Sequence, residues 1–351
     1  MKIELNKYIV DESTSILEIM RKIDLNARGI VYICENDYLL GVITDGDIRR
    51  YILKHNTLNS HANLIMNKKP KYFLNSDISD VNKYMKDNSI KSVPIIDENK
   101  KLQDIVFLEG VKKNKEKLDI PVVIMAGGKG SRLFPYTKVL PKPLIPVNDK
   151  TITELIMEHF EEYDCKEFFM IVNYKKDFIK AFFHDTDVHR KLTFIDEDSY
   201  MGTAGGLKLL NGIIDKTFFL SNCDILIEDN YSSVLEYHKT NKNIITIVCA
   251  LKEEIFPYGT VQTDENGKAI SLTEKPTFKF LTNTGFYIVE PKFMDFIPKN
   301  TFIHITDVIQ TCMNSGENVG VYPVCEDSWM DMGQLDELEK MKKKLGGANE
   351  I

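Results

Sequence analysis

The sequence predicts an α/β protein in two parts, a larger C-terminal domain built on a Rossmann-like sheet and a smaller repeated module before it. Three observations carry this. The run Val122 to Met125 is short and apolar, bounded by Pro121 and the Gly127-Gly128 pair, as a buried strand should be. It ends in AGGKGSR, a glycine-rich loop at the carboxyl end of a first strand, where α/β sheets bind phosphorylated ligands. The N-terminal part repeats itself at an offset of 62, with Ile16 matching Ile78, Val31 matching Val93, Ile33 matching Ile95 and Leu40 matching Leu102.

Each copy of the repeat reads as a helix, a strand, an acidic turn and a second strand. These are SILEIMRKI, IVYIC, END and YLLGVIT in the first copy, then ISDVNKYMKD, SVPII, DENK and LQDIVFL in the second. The charged stretch KKNKEKLD at 112–119 lacks apolar periodicity and reads as a linker. The expected domains are the repeated module over 1–114 (about 1–60 and 61–114), a linker at 115–119, and a second domain over 120–351.

In the glycine loop, residues without a Cβ let backbone N–H groups approach a ligand and form an anion-binding concavity. Arg132 and Lys142 add fixed positive charge. Two familiar phosphate loops do not fit. No Lys-Ser or Lys-Thr pair closes this loop as a P-loop requires, and the dinucleotide fingerprint opens directly into a helix. Here GSRLFP runs on to Pro141, Pro143 and Pro146, and a proline inside a helix costs about 3 kcal/mol. The expectation is an extended loop able to wrap a ligand, with Lys142 held between two prolines of fixed φ.

The stretch GGKGSRLFPYTKVLPKPLIPV resembles the signature of the sugar-1-phosphate nucleotidyltransferases, nearest to the guanylyltransferase branch. The resemblance implies a nucleotidyltransferase domain with a mixed central sheet, and a reaction of NTP with sugar-1-phosphate giving NDP-sugar and pyrophosphate. It implies that Ala126, Gly127, Gly128, Gly130 and Ser131 line the triphosphate, that Arg132 holds it, and that Lys142 touches the phosphates of the reacting pair.

Farther along, ITELIMEHFEEY has apolar residues at helical spacing, FFMIVNY reads as a core strand ending at Asn173, DFIKAFFHD as a helix and LTFIDED as a strand. MGTAGGLKLL resembles the family's GTAGAL motif, a helix start whose backbone, here Gly202, Thr203 and Gly206, approaches base and ribose. Asn173 and Asn222 are nucleotide contacts by the same resemblance. TFFLSNCDILIED is a strand ending at Asp224, and a carboxylate there is costly to bury unless it coordinates something. It resembles the family's NGD motif, whose Asp holds catalytic Mg²⁺, with Cys223 in the usual glycine position and read as a packed thiol. IITIVCAL is a further buried strand, and a hairpin turns at Asn266-Gly267. Gly259, Glu274, Lys275, Asn283 and Thr284 fall on elements resembling the family's sugar- and sugar-phosphate-binding turns. SWMDMGQLDEL resembles the motif supplying the second metal-binding Asp, Asp331, although Gln334 and Leu335 depart from it.

GVITDGDIRRYIL resembles the closing motif of a CBS domain, and IMNKKPKYF the start of a second. CBS pairs can bind an adenine nucleotide, and the resemblance puts Thr44 and Asp47 on its ribose and phosphate. In the second copy Gln103, Val106 and Glu109 replace Gly41, Thr44 and Asp47, so at most one such site is intact. A pair serving only packing and dimerisation is the alternative.

The 351 residues carry 43% hydrophobic and 28% charged side chains, ordinary for a soluble protein. The net charge of −7 argues against a general nucleic-acid or membrane-surface binder. Six cysteines without a CxxC pair suit neither a zinc site nor a disulfide framework, and no run is apolar enough to span a membrane. A cytoplasmic homodimer is expected. The domain order is similar to guanylyltransferases that convert glucosamine-1-phosphate in legionaminic acid synthesis, which makes GTP and glucosamine-1-phosphate the expected substrates and Mg²⁺ the cofactor. Mannose- or heptose-1-phosphate, a choline-phosphate cytidylyltransferase and a catalytically silent nucleotide sensor are the other readings.

Overall fold

The computed structural model describes residues 4–346 except 27, 56, 58, 75–80, 89, 109–115 and 185–189. Ile78 and Glu109 of the repeat comparison and residues 112–115 of the stretch read as a linker lie outside the described residues. By contacts the chain divides into two compact units. One comprises Met1–Asn114, Leu251–Thr282 and Cys325–Asp327, the other Lys115–Ala250, Asn283–Val324 and Ser328–Ile351.

The first unit contains the repeat. Strands β1 (Ile9–Val10), β2 (Ile30–Glu35) and β3 (Tyr38–Thr44) form a three-stranded sheet with helices α1 (Ile16–Asn26) and α2 (Asp45–His55). A short α3 (Ala62–Ile65) leads to β4 (Phe73–Leu74), α4 (Val81–Asp87), β5 (Ser92–Ile96) and β6 (Leu102–Phe107), whose sheet has the same order. In both sheets the first pair is parallel and the second antiparallel. The matched residues Val31, Ile33, Val93 and Ile95 are all fully buried, so the repeat preserves core positions. Helix α1 buries Ile16, Ile19, Met20 and Ile23, the stripe its periodicity predicts.

The second unit is organised around β7 (Val122–Ala126). After β7 come a short α5 (Tyr136–Val139), the two-residue strands β8 (Pro146–Val147) and β9 (Lys150–Thr151), α6 (Ile152–Glu161), β10 (Glu167–Val172), α7 (Lys176–His184) and β11 (Lys191–Asp196). Then follow β12 (Phe218–Asn222), β13 (Ile225–Ile227), α8 (Tyr231–Thr240), β14 (Ile245–Ile255), the hairpin β15 (Thr260–Thr263) and β16 (Ala269–Thr273), and β17 (Thr277–Val289). The chain continues through α9 (Ile305–Asn314), β18 (Val319–Cys325), β19 (Trp329–Asp331) and α10 (Leu335–Gly346). Seven strands make one sheet in the order β11-β10-β7-β12-β17-β14-β18. β7 runs parallel to β10 and β12, while β17 runs antiparallel to β12, so the sheet is mixed.

Both faces of this sheet are covered, which is why its strands read as continuous apolar runs. Val122, Ile124 and Ala126 enter one core and Val123 the other, following the two-residue pleat. On the first face Phe160, Phe219, Tyr231 and Phe286 cluster with ring centroids 4.9–5.7 Å apart. Helix α6 starts in a capping box between Thr151 and Glu154.

Two expectations are corrected. The segment after the glycines is not extended throughout: it makes a 3-10 turn at Ser131–Leu133, the short α5, and another 3-10 turn at Lys142–Leu144. Prolines break it into single turns, because Pro143 is tolerated within a first turn where its missing N–H is not needed. The helix expected after MGTA is a 3-10 helix, Gly205–Leu210. In addition, residues 251–282, expected inside the second domain, group by contacts with the N-terminal unit.

Among the described residues no helix is long and apolar enough to cross a membrane, and all six cysteines are buried free thiols. Phe160→Ala should cost about 3–5 kcal/mol by opening the aromatic cluster. Leu25→Ala, at a side chain 87% exposed, should leave stability unchanged. Chemical denaturation monitored by circular dichroism checks both.

Candidate active site

The site is assembled at the carboxyl ends of β7 and β12. The glycine loop leaves β7 after the buried Ala126 and is pinned by Thr137, whose hydroxyl donates to the Gly130 carbonyl at 2.7 Å. Ser131 and Arg132 follow, both exposed. The turn at Lys142–Leu144 then directs Lys142 inward, where its ammonium pairs with the Asp224 carboxylate.

Asp224 sits in the turn after β12, and Asp331 ends β19. Strands β13 and β19 pair antiparallel with Ile225 opposite Asp331, and the Met332 N–H donates to the Asp224 carbonyl at 2.9 Å. That register brings together two carboxylates far apart in sequence. Burial and the charge of Asp224 push the Asp331 carboxyl up to about 6, partly offset by the Gly333 N–H, which donates to its Oδ1 at 2.7 Å, and by Lys142. Burial works against the Lys142 charge, but Asp224, Cys223 and Asp331 outweigh it and hold the ammonium above its usual range. Cys223 is buried beside Asp224 and its thiol is pushed up to about 12, which makes it a packed, inert side chain.

Two adjacent carboxylates, one driven toward its protonated form by the other, fit a hard divalent cation such as Mg²⁺, which prefers carboxylate, water and phosphate oxygens. They stand as a pair. Among the described residues there is no cluster of three or more His, Cys, Asp or Glu side chains.

One residue of the site escaped the sequence reading. Glu197 follows β11, is only 1% exposed, and neither carboxylate oxygen makes a hydrogen bond of ordinary geometry. Burial pushes its carboxyl up to about 7, with the Met201 N–H acting in the opposite sense. It lies between the two glycine segments. A Cβ on Gly127 or on Gly206 would come within 2.5 Å of one of its oxygens, so a side chain at either position would displace the carboxylate. Asn173 does not stand free: its amide donates to the Glu197 carbonyl at 2.8 Å, and the Glu197 N–H donates to the Val172 carbonyl at 2.9 Å. Asn173 thus fixes Glu197 in place.

Other expected contacts are occupied by the fold. Gly202 packs on the Ile303 backbone, where a Cβ would meet the carbonyl at 2.4 Å, and the Thr203 hydroxyl accepts from the Ile305 N–H at 3.0 Å. Asn222 lies against Gly285, whose Cβ would meet its amide at 2.4 Å. Thr284 corrects the expectation of a sugar contact, because it is 2% exposed and its hydroxyl donates to the Val248 carbonyl at 2.7 Å. Asn283 closes an Asx turn on the Gly285 N–H and donates to the Tyr287 hydroxyl.

Gly259, Glu274 and Lys275 belong to the other unit, where a Cβ on Gly259 would come within 2.9 Å of Glu274. In that unit Thr44 and Asp47 bond each other, hydroxyl to carboxylate at 2.6 Å, and Arg50 pairs with Asp47 at 2.6 Å.

A family model described as Nucleotidyl transferase matches residues 121–347, well over half of the chain. The chain belongs to the nucleotidyl transferase family. A CBS domain model matches residues 5–54 of the chain. A UTP–glucose-1-phosphate uridylyltransferase of Synechocystis sp. is 31% identical to it over 234 residues, which cover 61% of this chain and 60% of that enzyme. The D-glycero-alpha-D-manno-heptose 1-phosphate guanylyltransferase of Campylobacter jejuni is 31% identical over 182 residues, 51% of this chain and 80% of that one. The crystal structure of HddC from Yersinia pseudotuberculosis superposes with a TM-score of 0.52 at 24% identity, covering 64% of this chain and 99% of HddC, a likeness of fold.

The charge cluster can be read directly. In a carboxyl NMR titration Asp331 should show a midpoint near 6. Lys142→Ala should move that midpoint up by removing a neighbouring cation, and Asp224→Asn should move it down by removing a neighbouring anion. An unchanged midpoint in both variants would contradict the geometry described.

Proposed function

We propose that this chain transfers a guanylyl group from GTP to a sugar-1-phosphate, releasing pyrophosphate. The observation that carries the choice of base is Glu197, a buried carboxylate between the two glycine segments whose oxygens make no hydrogen bond of ordinary geometry among the described residues. A carboxylate only accepts. Of the four bases, guanine alone offers two adjacent donors on its Watson–Crick edge, N1–H and the 2-amino group. Two charge-assisted bonds to that edge would relieve both orphaned oxygens at once.

The chemistry asked of the chain is positioning and charge neutralisation. An oxygen of the sugar phosphate attacks the α-phosphorus in line, the new P–O bond forms, and the bond to the departing pyrophosphate breaks. No protein nucleophile is needed. The N–H groups of the glycine loop and the exposed Arg132 receive the leaving phosphates, and Lys142 neutralises charge at the attacked phosphate. Asp224 and Asp331 would hold Mg²⁺, which supplies charge stabilisation to the phosphate oxygens when bound. The loop residues and Lys142 orient the triphosphate before attack.

Glucosamine-1-phosphate, leading to legionaminic acid or a related surface sugar, is the acceptor favoured by the domain order of the sequence. A heptose-1-phosphate acceptor is favoured instead by the Campylobacter jejuni relative. The exposed Glu274 and Lys275 are the side chains offered to the acceptor.

Pyrophosphate release measured with each of four NTPs and a panel of sugar-1-phosphates tests this reading. GTP should exceed the other nucleotides by at least about a hundredfold in kcat/KM, as expected where a site is built to bond specific donors. Glu197→Gln presents one donor and one acceptor, which match O4 and N3–H of uracil. It should lose GTP turnover by about a hundredfold and gain relative activity with UTP. The wild-type carboxyl is protonated below about 7, so GTP affinity should weaken by up to about tenfold per pH unit below that point and stay level above it. Full GTP activity in Glu197→Gln would overturn the base assignment.

Separately, Lys142→Ala, Arg132→Ala and Asp224→Asn should each lower kcat by roughly 10²–10³ with the fold intact by circular dichroism. A near-normal rate in any one removes that residue from its proposed role.

A further inference from the structure

The arm that carries Gly259, Glu274 and Lys275 shares a hydrophobic core with the first CBS repeat. Leu251 near the end of β14 and Cys325 at the end of β18 are buried in one cluster with Ile19 and Ile23 of α1, and Leu281 of β17 packs against it. On the polar edge of α1 the Cys325 thiol faces Asp24, while the Glu18 carboxylate is held mainly by Ser15 and feels the charge of Lys279 on β17 only weakly. Lys279 also stands 3.9 Å from Glu253, and Lys252 stands 3.6 Å from Glu326, so the strand roots are tied to one another. Helix α1 therefore sits on the roots of three strands.

Beyond those roots the arm has little of its own to hold it. β15 and β16 form a sheet of only two strands, and Ile270 and Leu272 are 67% and 73% exposed. A two-stranded hairpin is marginally stable in water by itself. Its orientation must come from the root, and the root is completed by α1.

We propose that helix α1 of the N-terminal module is the positioning element of the acceptor arm, so that the state of this module sets affinity for the sugar phosphate and not for the nucleotide. Ile19, Ile23 and Asp24 of α1, with Leu281 and Cys325 of the strand roots, are positioning residues: they join the helix to the arm and act through Glu274 and Lys275. This inference rests on the acceptor role given to the arm under the proposed function.

Two variants test it in the full chain. Asp24→Arg changes an exposed position on α1 and should fold normally, and Leu281→Ala loosens the root from the arm side. The first readout is amide hydrogen exchange, which needs no activity. Exchange over 260–273 should quicken at least about tenfold in both variants while β7 and β12 stay protected. The second is steady-state kinetics, where KM for the sugar phosphate should rise by about five- to tenfold with KM for GTP and kcat within about twofold of wild type.

Unchanged exchange in the arm, or KM values for both substrates rising together, would overturn the inference. Glu274→Ala separates the two claims. If it leaves the acceptor KM unchanged, the acceptor role of the arm fails. If it raises that KM while Asp24→Arg and Leu281→Ala do not, the positioning role alone fails.

Discussion

The structure of the candidate site depends on one electrostatic constraint. Asp224 and Asp331 are held side by side and largely shielded from water, and like charges that close cannot both ionise cheaply. Lys142 supplies the partner charge. Much of the surrounding chain serves to keep these three groups together. The proline-broken turns deliver Lys142, the β13–β19 register sets Asp331 beside Asp224, and the Gly333 N–H fastens Asp331 from the other side. Because Lys142 only partly offsets the paired acids, a divalent cation has a physical reason to bind there.

Glu197 poses the opposite case. It too is a buried carboxyl, but among the described residues no cation pairs with it and neither oxygen makes a hydrogen bond of ordinary geometry, the Met201 N–H alone acting on it. Leaving such a group unsatisfied costs roughly 1–3 kcal/mol, more for a charged one. The fold preserves it nonetheless, with glycines on both sides to make room and Asn173 fixing its backbone. Strain of this kind concentrates where a ligand is to complete the bonding. One site thus contains an over-supplied pair of acids and an under-supplied single one, a division suited to a metal at one end and a donor-rich base at the other.

What could be read in the sequence was whatever leaves a local trace. The buried strand at Val122, the glycine loop, the repeat of Val31 and Val93, and Asp224 at a strand end all have patterns in a few neighbouring residues. Glu197 had none, since it lies in the run DED of LTFIDED and only the packing of Gly127 and Gly206 around it singles it out. Thr284 looked available as a polar residue in a turn, yet the register of β17 turns its hydroxyl into the sheet. The grouping of 251–282 with the N-terminal unit was equally invisible, because Leu251, Leu281 and Cys325 read as ordinary strand residues. Contacts between distant segments decide these three cases, and a linear pattern does not contain them.

The proposal on which most depends is that Asp224 and Asp331 form a metal-binding pair that the transfer requires. Measuring pyrophosphate release against Mg²⁺ concentration between pH 5 and 8 tests it most directly. Since Asp331 holds its proton below about 6, Mg²⁺ must displace that proton in acid. Mg²⁺ dependence should be saturable, with the half-saturating concentration level above that pH and rising about tenfold per unit below it. Release that needs no divalent cation, or a half-saturation point indifferent to pH across this range, would contradict it.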